Sequence, residues 1–147
     1  MPFGRPMPVD CKVQCVVGVP HPDTASECAV NLSDGSAMLR YAVVLDTKDV
    51  DVDVSFRGVR AFYFGAPNDE ALDGHRLWGR GLSLLSFQEV HPSDWIAELQ
   101  NRNRVHPQHS AQSFTKLRHF IVTFKETTLE CVANELEVSH SLKGPHP

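Results

Sequence analysis

The densest group of side chains that could do chemistry lies in residues 65–75, directly after a strongly apolar segment. It contains Asn68, Asp69 and Glu70, followed by His75. A carboxylate beside an imidazole can act as an acid–base pair or bind a divalent metal. Capping is the simpler interpretation, because Asn68 is a favoured helix N-cap and acidic side chains stabilise the first helical turn. Capping leaves His75 without a local role.

A second candidate pair, His119 and Glu130, lies in the last third of the sequence. In alternating strands, His119 shares a face with Ile121, and Glu130 shares a face with Val132. If the two faces coincide across a hairpin, His119 and Glu130 are cross-strand neighbours. A buried pair of this kind is a candidate site, whereas an exposed pair contributes little to stability. Cys131 falls on the opposite face, which argues against its use as a nucleophile with this pair.

In the segments that must position these side chains, apolar and polar residues mostly alternate with a period of two, which is typical of β-strands. Residues 49–56 are the clearest case, since valines and a phenylalanine face one way and three aspartates the other. This pattern is typical of an antiparallel strand with one solvated face. Asp34-Gly35, between two apolar segments, predicts a hairpin turn. Strand-like patterns cover residues 12–19, 27–32, 37–45, 49–56, 59–64, 87–90, 114–124 and 129–139.

Helical signals are fewer. Ser93 can N-cap a helix over residues 94–103, in which Trp95 and Leu99 share one side. A helix of one or two turns can follow Asn68, and the links between strands are too short for crossover helices. We therefore predict an α+β fold: a mainly antiparallel sheet of about six strands, which could be curved or barrel-like, with one clear α-helix and one short helix.

Length and composition are those of one ordinary globular domain. The chain has 147 residues, 41% of them hydrophobic, and a formal net charge of -4. We predict a single domain over residues 1–147, with a flexible arm at 1–9 and a flexible tail at 143–147. The first eight residues lack the apolar core of a signal peptide, and no apolar run reaches the roughly 18 residues of a membrane span. The sequence therefore predicts a cytoplasmic protein.

The charge pattern and the absent motifs narrow the partners. Basic residues are scattered through an acidic chain, so we expect neither a nucleic-acid nor a membrane partner. The signatures of nucleotide-binding loops, serine hydrolases and zinc proteases are absent. The cysteines lack the spacing of a zinc or redox motif, so we predict free thiols buried as small apolar residues. We therefore expect no cofactor and no bound metal. The four cysteines are Cys11, Cys15, Cys28 and Cys131.

Three phrases in the second half of the chain carry a family resemblance. They are Pro67-Asn68-Asp69-Glu70-Ala71-Leu72 with Gly74-His75, Ser93-x-Trp95-Ile96 with Asn103 and His106, and His119-Phe120-Ile121 with Phe124 and Glu130-Cys131-Val132-Ala133. Together they resemble a family of small uncharacterised bacterial proteins, some of which are carried as integron gene cassettes. The resemblance covers roughly residues 59–138. It implies a bacterial accessory protein and brings no activity with it.

These features favour a binding protein over an enzyme with an identifiable reaction. We predict a small ligand-binding or protein-interaction module, whose ligand is an unknown small molecule or protein. Trp95 would form an aromatic wall of the site. The predicted site residues are Asn68, Asp69, Glu70, His75, Trp95, His119 and Glu130.

Two alternatives stay open. The first is an enzyme that uses His75 or His119 as general base with a carboxylate partner, and its catalytic residues are otherwise unknown. The second is an inhibitor or antitoxin-like binding partner, which exposed apolar surface in the segment from Trp78 to Leu85 would favour. A homodimer could form through a sheet edge or through the Trp78 region. The apolar residues of that segment are Trp78, Leu82, Leu84 and Leu85.

Overall fold

The computed structural model describes residues 9–143. The described part contains nine strands: Val13–Cys15 (β1), Cys28–Ser33 (β2), Ser36–Leu45 (β3), Lys48–Arg57 (β4), Ala61–Gly65 (β5), Phe87–Val90 (β6), Arg118–Thr123 (β7), Thr128–Ala133 (β8) and Glu135–Leu142 (β9). It also contains the helix Asp94–Asn103 (α1) and two 3₁₀ helices, Asp69–Gly74 and Ala111–Phe114. Residues 1–8 of the predicted arm and 144–147 of the predicted tail lie outside the described residues.

The strands form two antiparallel sheets. One has five strands in the order β1-β6-β7-β8-β5, and the other has four in the order β2-β3-β4-β9. The predicted α+β class and the antiparallel pairing are therefore confirmed. The prediction of about six strands in one sheet is wrong, since the described chain has nine strands in two sheets that do not close into a barrel.

One corner of the molecule explains why a single sheet was predicted. The strand pattern over residues 129–139 is continuous in sequence, but the chain leaves the five-stranded sheet at Asn134 and enters the four-stranded sheet as β9. The backbone N–H of Asn134 donates to the carbonyl of Arg57 at 2.9 Å. Gly58 turns here with a φ of +67°, and a Cβ on it would lie 2.5 Å from the Asn134 amide nitrogen. Two of the three crossings between the sheets, from β4 to β5 and from β8 to β9, thus share this corner. The close approach of the two chain segments requires glycine.

The main core lies between the two sheets. Alternation in β4 buries Val50, Val52, Val54 and Phe56, as the sequence predicted. The ring of Phe56 packs against those of Phe87 (centroids 6.5 Å apart) and Phe120 (5.7 Å). The other face of the five-stranded sheet, which we call the outer face, is also buried. Two smaller apolar clusters cover it, one around Leu72, Leu77, Leu82 and Ile121 and one around Trp95, Phe114, Leu117 and Val132.

The helix α1 has the bounds that the sequence predicted. Ser93 is its N-cap, and the Ser93 hydroxyl oxygen accepts from the backbone N–H of Ile96 at 3.0 Å. Within residues 9–143, none of the helices combines the length and the apolar character that crossing a bilayer requires.

The cysteines are free thiols. Cys11 and Cys131 are buried and Cys28 is half-buried, whereas Cys15 is exposed, so the prediction of buried thiols is wrong for Cys15. β1 is only three residues long, and Cys15 is its last residue. The predicted strand over residues 12–19 would have continued beyond Cys15.

Candidate functional site

A buried polar cluster lies on the outer face of the five-stranded sheet, with the Glu130 carboxylate at its centre. Glu130 is 3% exposed and belongs to β8. His119 of β7 donates from Nε2 to Oε1 at 2.8 Å. His75, which follows the first 3₁₀ helix, donates from Nε2 to Oε2 at 3.0 Å. The structure therefore brings together three of the predicted site residues that are far apart in sequence.

Arg76 completes the cluster. Its guanidinium donates to both oxygens of Glu130, from one NH₂ group to Oε2 at 3.1 Å and from the other to Oε1 at 2.9 Å. Its Nε donates to Asp94 Oδ2 at 2.7 Å. Asp94 is the first residue of α1, where the helix dipole favours a carboxylate. Arg76 thus links the sheet to the N-terminus of α1.

Neighbouring groups fix the orientation of both imidazoles. The backbone N–H of Leu77 donates to His75 Nδ1 at 3.0 Å, so the ring proton of His75 lies on Nε2, which faces Glu130. The Ser93 hydroxyl, which already accepts from the Ile96 N–H, lies 2.7 Å from His119 Nδ1. The simplest assignment has Ser93 donate to Nδ1 and His119 Nε2 donate to Glu130. Every ring nitrogen of the pair therefore has a partner within the cluster.

The electrostatics of the cluster follow from this geometry. Burial alone would raise the pKa of Glu130, but the hydrogen bonds from His119, His75 and Arg76 outweigh burial and hold that pKa well below its usual range. The same partnership raises the pKa of Arg76 against the opposing effect of burial, through its bonds to Glu130 and Asp94. Apart from the two histidines, the cluster sets the one guanidinium of Arg76 against the two carboxylates of Glu130 and Asp94, so these three side chains carry a formal charge of minus one.

The depressed pKa of Glu130 predicts the acid sensitivity of the fold. A carboxyl group with a lower pKa in the folded state stabilises that state fully above its unfolded pKa of about 4.3. We expect this stabilisation to be lost as the pH falls from about 4.3 through the folded-state value. Urea unfolding at a series of pH values from 7 to 3 measures it. In the variant Glu130→Gln this acid-dependent loss is expected to be smaller, and an equal loss in both proteins would contradict the assignment.

An open pocket adjoins the cluster. Its volume is about 530 Å³, and it lies over the outer face beside β5 and β8. His75, Arg76 and Glu130 supply its polar side, and the remaining lining residues are mostly apolar. Its lining residues are Tyr63, Ala66, Pro67, Ala71, Gly74, His75, Arg76 and Glu130.

The first 3₁₀ helix decides which of its residues reach this pocket. Residues three apart in a 3₁₀ helix lie above one another, so its six residues form three stripes. Leu72 lies on the stripe that faces the core and is 1% exposed. Ala71 and Gly74 form the stripe that lines the pocket. The third stripe, Glu70 and Asp73, is exposed to solvent.

Three predicted site residues are therefore structural. The Asn68 side-chain oxygen accepts from the backbone N–H of Ala71 at 3.2 Å, so Asn68 is the N-cap. Asp69 and Glu70 occupy the first turn, and the Asp69 N–H donates to the carbonyl of Lys125 at 2.8 Å. None of the three lines the pocket. The capping interpretation accounts for them, and only His75 from this segment joins the cluster.

Trp95 does not form a wall of the pocket. It is buried, and its ring meets the ring of His119 edge to face, with centroids 5.5 Å apart and an interplanar angle of 75°. Its neighbours are Phe114, Leu117 and Val132. The sequence could not show where Trp95 lies, because the helical pattern indicates a buried side but does not show against what that side packs. Tyr63 is the aromatic residue that lines the pocket.

Sequence reasoning missed Arg76 altogether. Arg76 lies in an irregular segment with no periodic pattern, and its only sequence signal is that it follows His75. From the sequence, Ser93 is recognised only as a helix N-cap and position 94 only as the start of that helix, although Ser93 and Asp94 both also bond to the cluster. A long-range ion pair leaves no trace in local spacing.

The arrangement offers little for nucleophilic catalysis. Ser93, His119 and Glu130 are connected in a line, but neither Ser93 nor His119 lines the pocket, and the Ser93 oxygen caps α1. Cys131 faces the main core, where burial raises the pKa of its thiol to about 12. Within the described ranges, no group of three or more His, Cys, Asp or Glu side chains could hold a metal ion.

The apolar segment from Trp78 to Leu85 is exposed only in part. Trp78 is 45% exposed and Leu84 is 48% exposed, whereas Leu82 is buried in the cluster around Leu72. Leu85 is half-buried. The segment presents two separate apolar side chains at the surface, and scattered exposed apolar residues are ordinary in globular proteins.

No protein-family model, curated protein or solved structure matches this chain. The resemblance to the cassette-associated family stays a prediction, as do the bacterial origin and the cytoplasmic location.

Proposed function

We propose that this protein is a binding module that holds a small, largely apolar ligand in the pocket beside Glu130. The observation that carries the proposal is a pocket of about 530 Å³ whose polar side is a buried, hydrogen-bonded cluster. Ligand pockets commonly have volumes of about 300–1,000 Å³, apolar walls and a few fixed polar groups. A pocket that combines apolar walls with fixed polar groups is suited to bind one kind of molecule selectively.

The hydrogen bonds of the cluster favour binding over catalysis. The two oxygens of Glu130 accept four hydrogen bonds from His119, His75 and Arg76. A general base needs a lone pair within reach of the substrate proton. The ring nitrogens of His75 and His119 both have partners inside the cluster, so neither histidine offers a lone pair to the pocket without rearrangement.

The charges around the pocket restrict the ligand. The cluster sets two carboxylates, Glu130 and Asp94, against the one guanidinium of Arg76. The exposed stripe of Glu70 and Asp73 adds two more carboxylates on the first 3₁₀ helix. Negative charge near a pocket of low polarity disfavours an anionic ligand and favours a neutral or cationic one. We therefore infer a neutral or cationic ligand with an apolar body.

A leucine at position 71 is expected to block the pocket. Ala71 is exposed and lines the pocket, so Ala71→Leu fills part of it without disturbing the core. We expect neutral and cationic members of a fragment library to shift the amide signals of Gly74 and His75 in NMR spectra of the wild type. In Ala71→Leu, binding of those fragments is expected to weaken at least about tenfold, a loss of about 1.4 kcal/mol.

The matched control is Ala111→Leu. Ala111 is also exposed and also lies in a 3₁₀ helix, but it does not line the pocket. Fragment affinities in Ala111→Leu are expected to equal those of the wild type. Equal affinities in Ala71→Leu and the wild type, or shifts confined to amides away from the pocket, would refute the proposed site.

A further inference from the structure

The strand beside the pocket has an open edge. β5 pairs with β8 along one side and is the last strand of its sheet. No described residue forms a hydrogen bond to the backbone of β5 on its other side. Two aromatic side chains at this edge are well exposed, Tyr63 at 38% and Phe64 at 41%. Unpaired edges of this kind are templates for another strand.

The ladder of the sheet shows which backbone groups of β5 point outward. The N–H of Phe124 donates to the carbonyl of Thr127, and this bond sets the hydrogen-bonding alternation between β7 and β8. In an antiparallel ladder, residues alternate between the two neighbouring strands. Glu130 of β8 therefore bonds towards its partner Tyr63 in β5. It follows that Phe62 and Phe64 direct their N–H and C=O groups away from the sheet.

We propose that the ligand is an extended peptide that adds to β5 as a sixth strand of this sheet and places one side chain in the pocket. This inference rests on the proposed function, since it names the class of ligand for the same pocket. Phe62 and Phe64 each offer one donor and one acceptor, a complement that an extended backbone satisfies. Tyr63 lies on the same face as Glu130 and lines the pocket. A peptide side chain opposite Tyr63 would lie on that face, because paired residues share a face.

The position of Tyr63 keeps the pocket accessible from this edge. The Tyr63 hydroxyl donates to the carbonyl of Ala66 at 2.7 Å, so the ring leans along the strand towards Gly65. A Cβ on Gly65 would lie 3.3 Å from that hydroxyl oxygen. Glycine at position 65 thus allows the ring to lie along β5 rather than across the face where a neighbouring side chain would enter.

A peptide suits this edge better than a second copy of the chain. Symmetric antiparallel pairing of β5 with its own copy through Phe62 and Phe64 would place Tyr63 opposite Tyr63. That pairing stacks the two pocket walls against each other, and the only side chain that it can bring opposite Tyr63 is the tyrosine of the other copy. A peptide can carry any side chain opposite Tyr63, and the charges nearby favour a neutral or cationic one.

The experiment uses linear heptapeptides selected from a random phage-displayed library on the full-length chain. A selected peptide is synthesised, and its dissociation constant is measured for the wild type, Phe64→Pro and Phe64→Val. Proline removes the outward N–H of Phe64, and strand edges tolerate it where the N–H faces away from the sheet. We expect Phe64→Pro to weaken binding about three- to tenfold relative to Phe64→Val, which keeps the N–H. Circular dichroism verifies that both variants are folded.

A second set of measurements separates this inference from the proposed function. N-methylation of the peptide at successive positions is expected to weaken binding at every second residue, as strand pairing requires. Equal binding to Phe64→Pro and Phe64→Val would overturn the inference, and so would failure to select any peptide while fragments bind the pocket. In both cases the fragment result with Ala71→Leu still supports the proposed function. A dimer that Phe64→Pro converts to a monomer would also overturn it, with a second copy as the occupant.

Discussion

Replacing Glu130 with glutamine is expected to lower the free energy of unfolding by about 3–5 kcal/mol, which is the usual effect of removing one partner from a buried ion pair. The substitution preserves the shape of the side chain but removes its charge. Arg76 then remains buried beside Asp94, without the carboxylate of Glu130. The new amide group also presents hydrogen-bond donors to His75, His119 or Arg76, which are themselves donors. Urea unfolding monitored by circular dichroism measures the loss.

The control for this substitution is Glu137→Gln in β9. Glu137 forms an ion pair with Arg57 at 2.8 Å, but both side chains are more than half exposed. An exposed pair contributes no more than about 1 kcal/mol, so the chemically identical change is expected to cost little. Similar losses in the two variants would show that the cluster around Glu130 adds no more stability than a surface pair.

The elements that the sequence predicted well are those whose patterns are local. Alternation in β4 and the N-cap of α1 depend only on residues adjacent in sequence, and the structure has both. The division into two sheets depends on a contact between Asn134 and Arg57, which are far apart in sequence. Alternation continues through Asn134 and therefore gives no sign that the chain changes sheets there.

In the candidate site, too, the residues that could be predicted are those whose positions follow from local sequence patterns. His119 and Glu130 could be paired because strand alternation determines faces, and their diagonal contact across β7 and β8 follows from the register. Arg76 could not be placed, because its partners lie 18 and 54 residues away along the chain. The three polar residues at the start of the first 3₁₀ helix could be assigned as caps or as ligand contacts, and only the orientation of the helix decides between these.

The location of the cluster gives it a structural role in addition to any role in ligand binding. It lies between the apolar cluster around Leu72 and the apolar cluster around Trp95, both on the outer face. Segments that cover this face therefore meet the sheet at fixed polar partners as well as through apolar packing. Buried polar contacts of this kind can specify one arrangement of covering segments, which is what a preorganised pocket requires.

Replacing Trp95 with alanine is expected to cost about 3–5 kcal/mol of folding free energy, the usual range for truncating a buried tryptophan. Trp95 is 7% exposed and packs between His119 and the side chains of Phe114 and Leu117. Because neither Trp95 nor His119 lines the pocket, removing the Trp95 ring is expected to weaken the fold without changing a surface that a ligand touches. Urea unfolding measures the cost.

Ligand affinity distinguishes this structural role from the aromatic wall that the sequence suggested. Under conditions where Trp95→Ala is fully folded, a fragment that binds the wild type is expected to bind the variant within about twofold, since Trp95 does not line the pocket. Trp95→Phe keeps an aromatic ring against His119 and is expected to lose about 1–2 kcal/mol of stability. A large loss of affinity in folded Trp95→Ala, with normal affinity in Trp95→Phe, would return Trp95 to the binding site. Unchanged affinity in both variants would show that Trp95 does not contact the ligand. The contacts would then come from residues that line the pocket, such as Tyr63 and those of the first 3₁₀ helix.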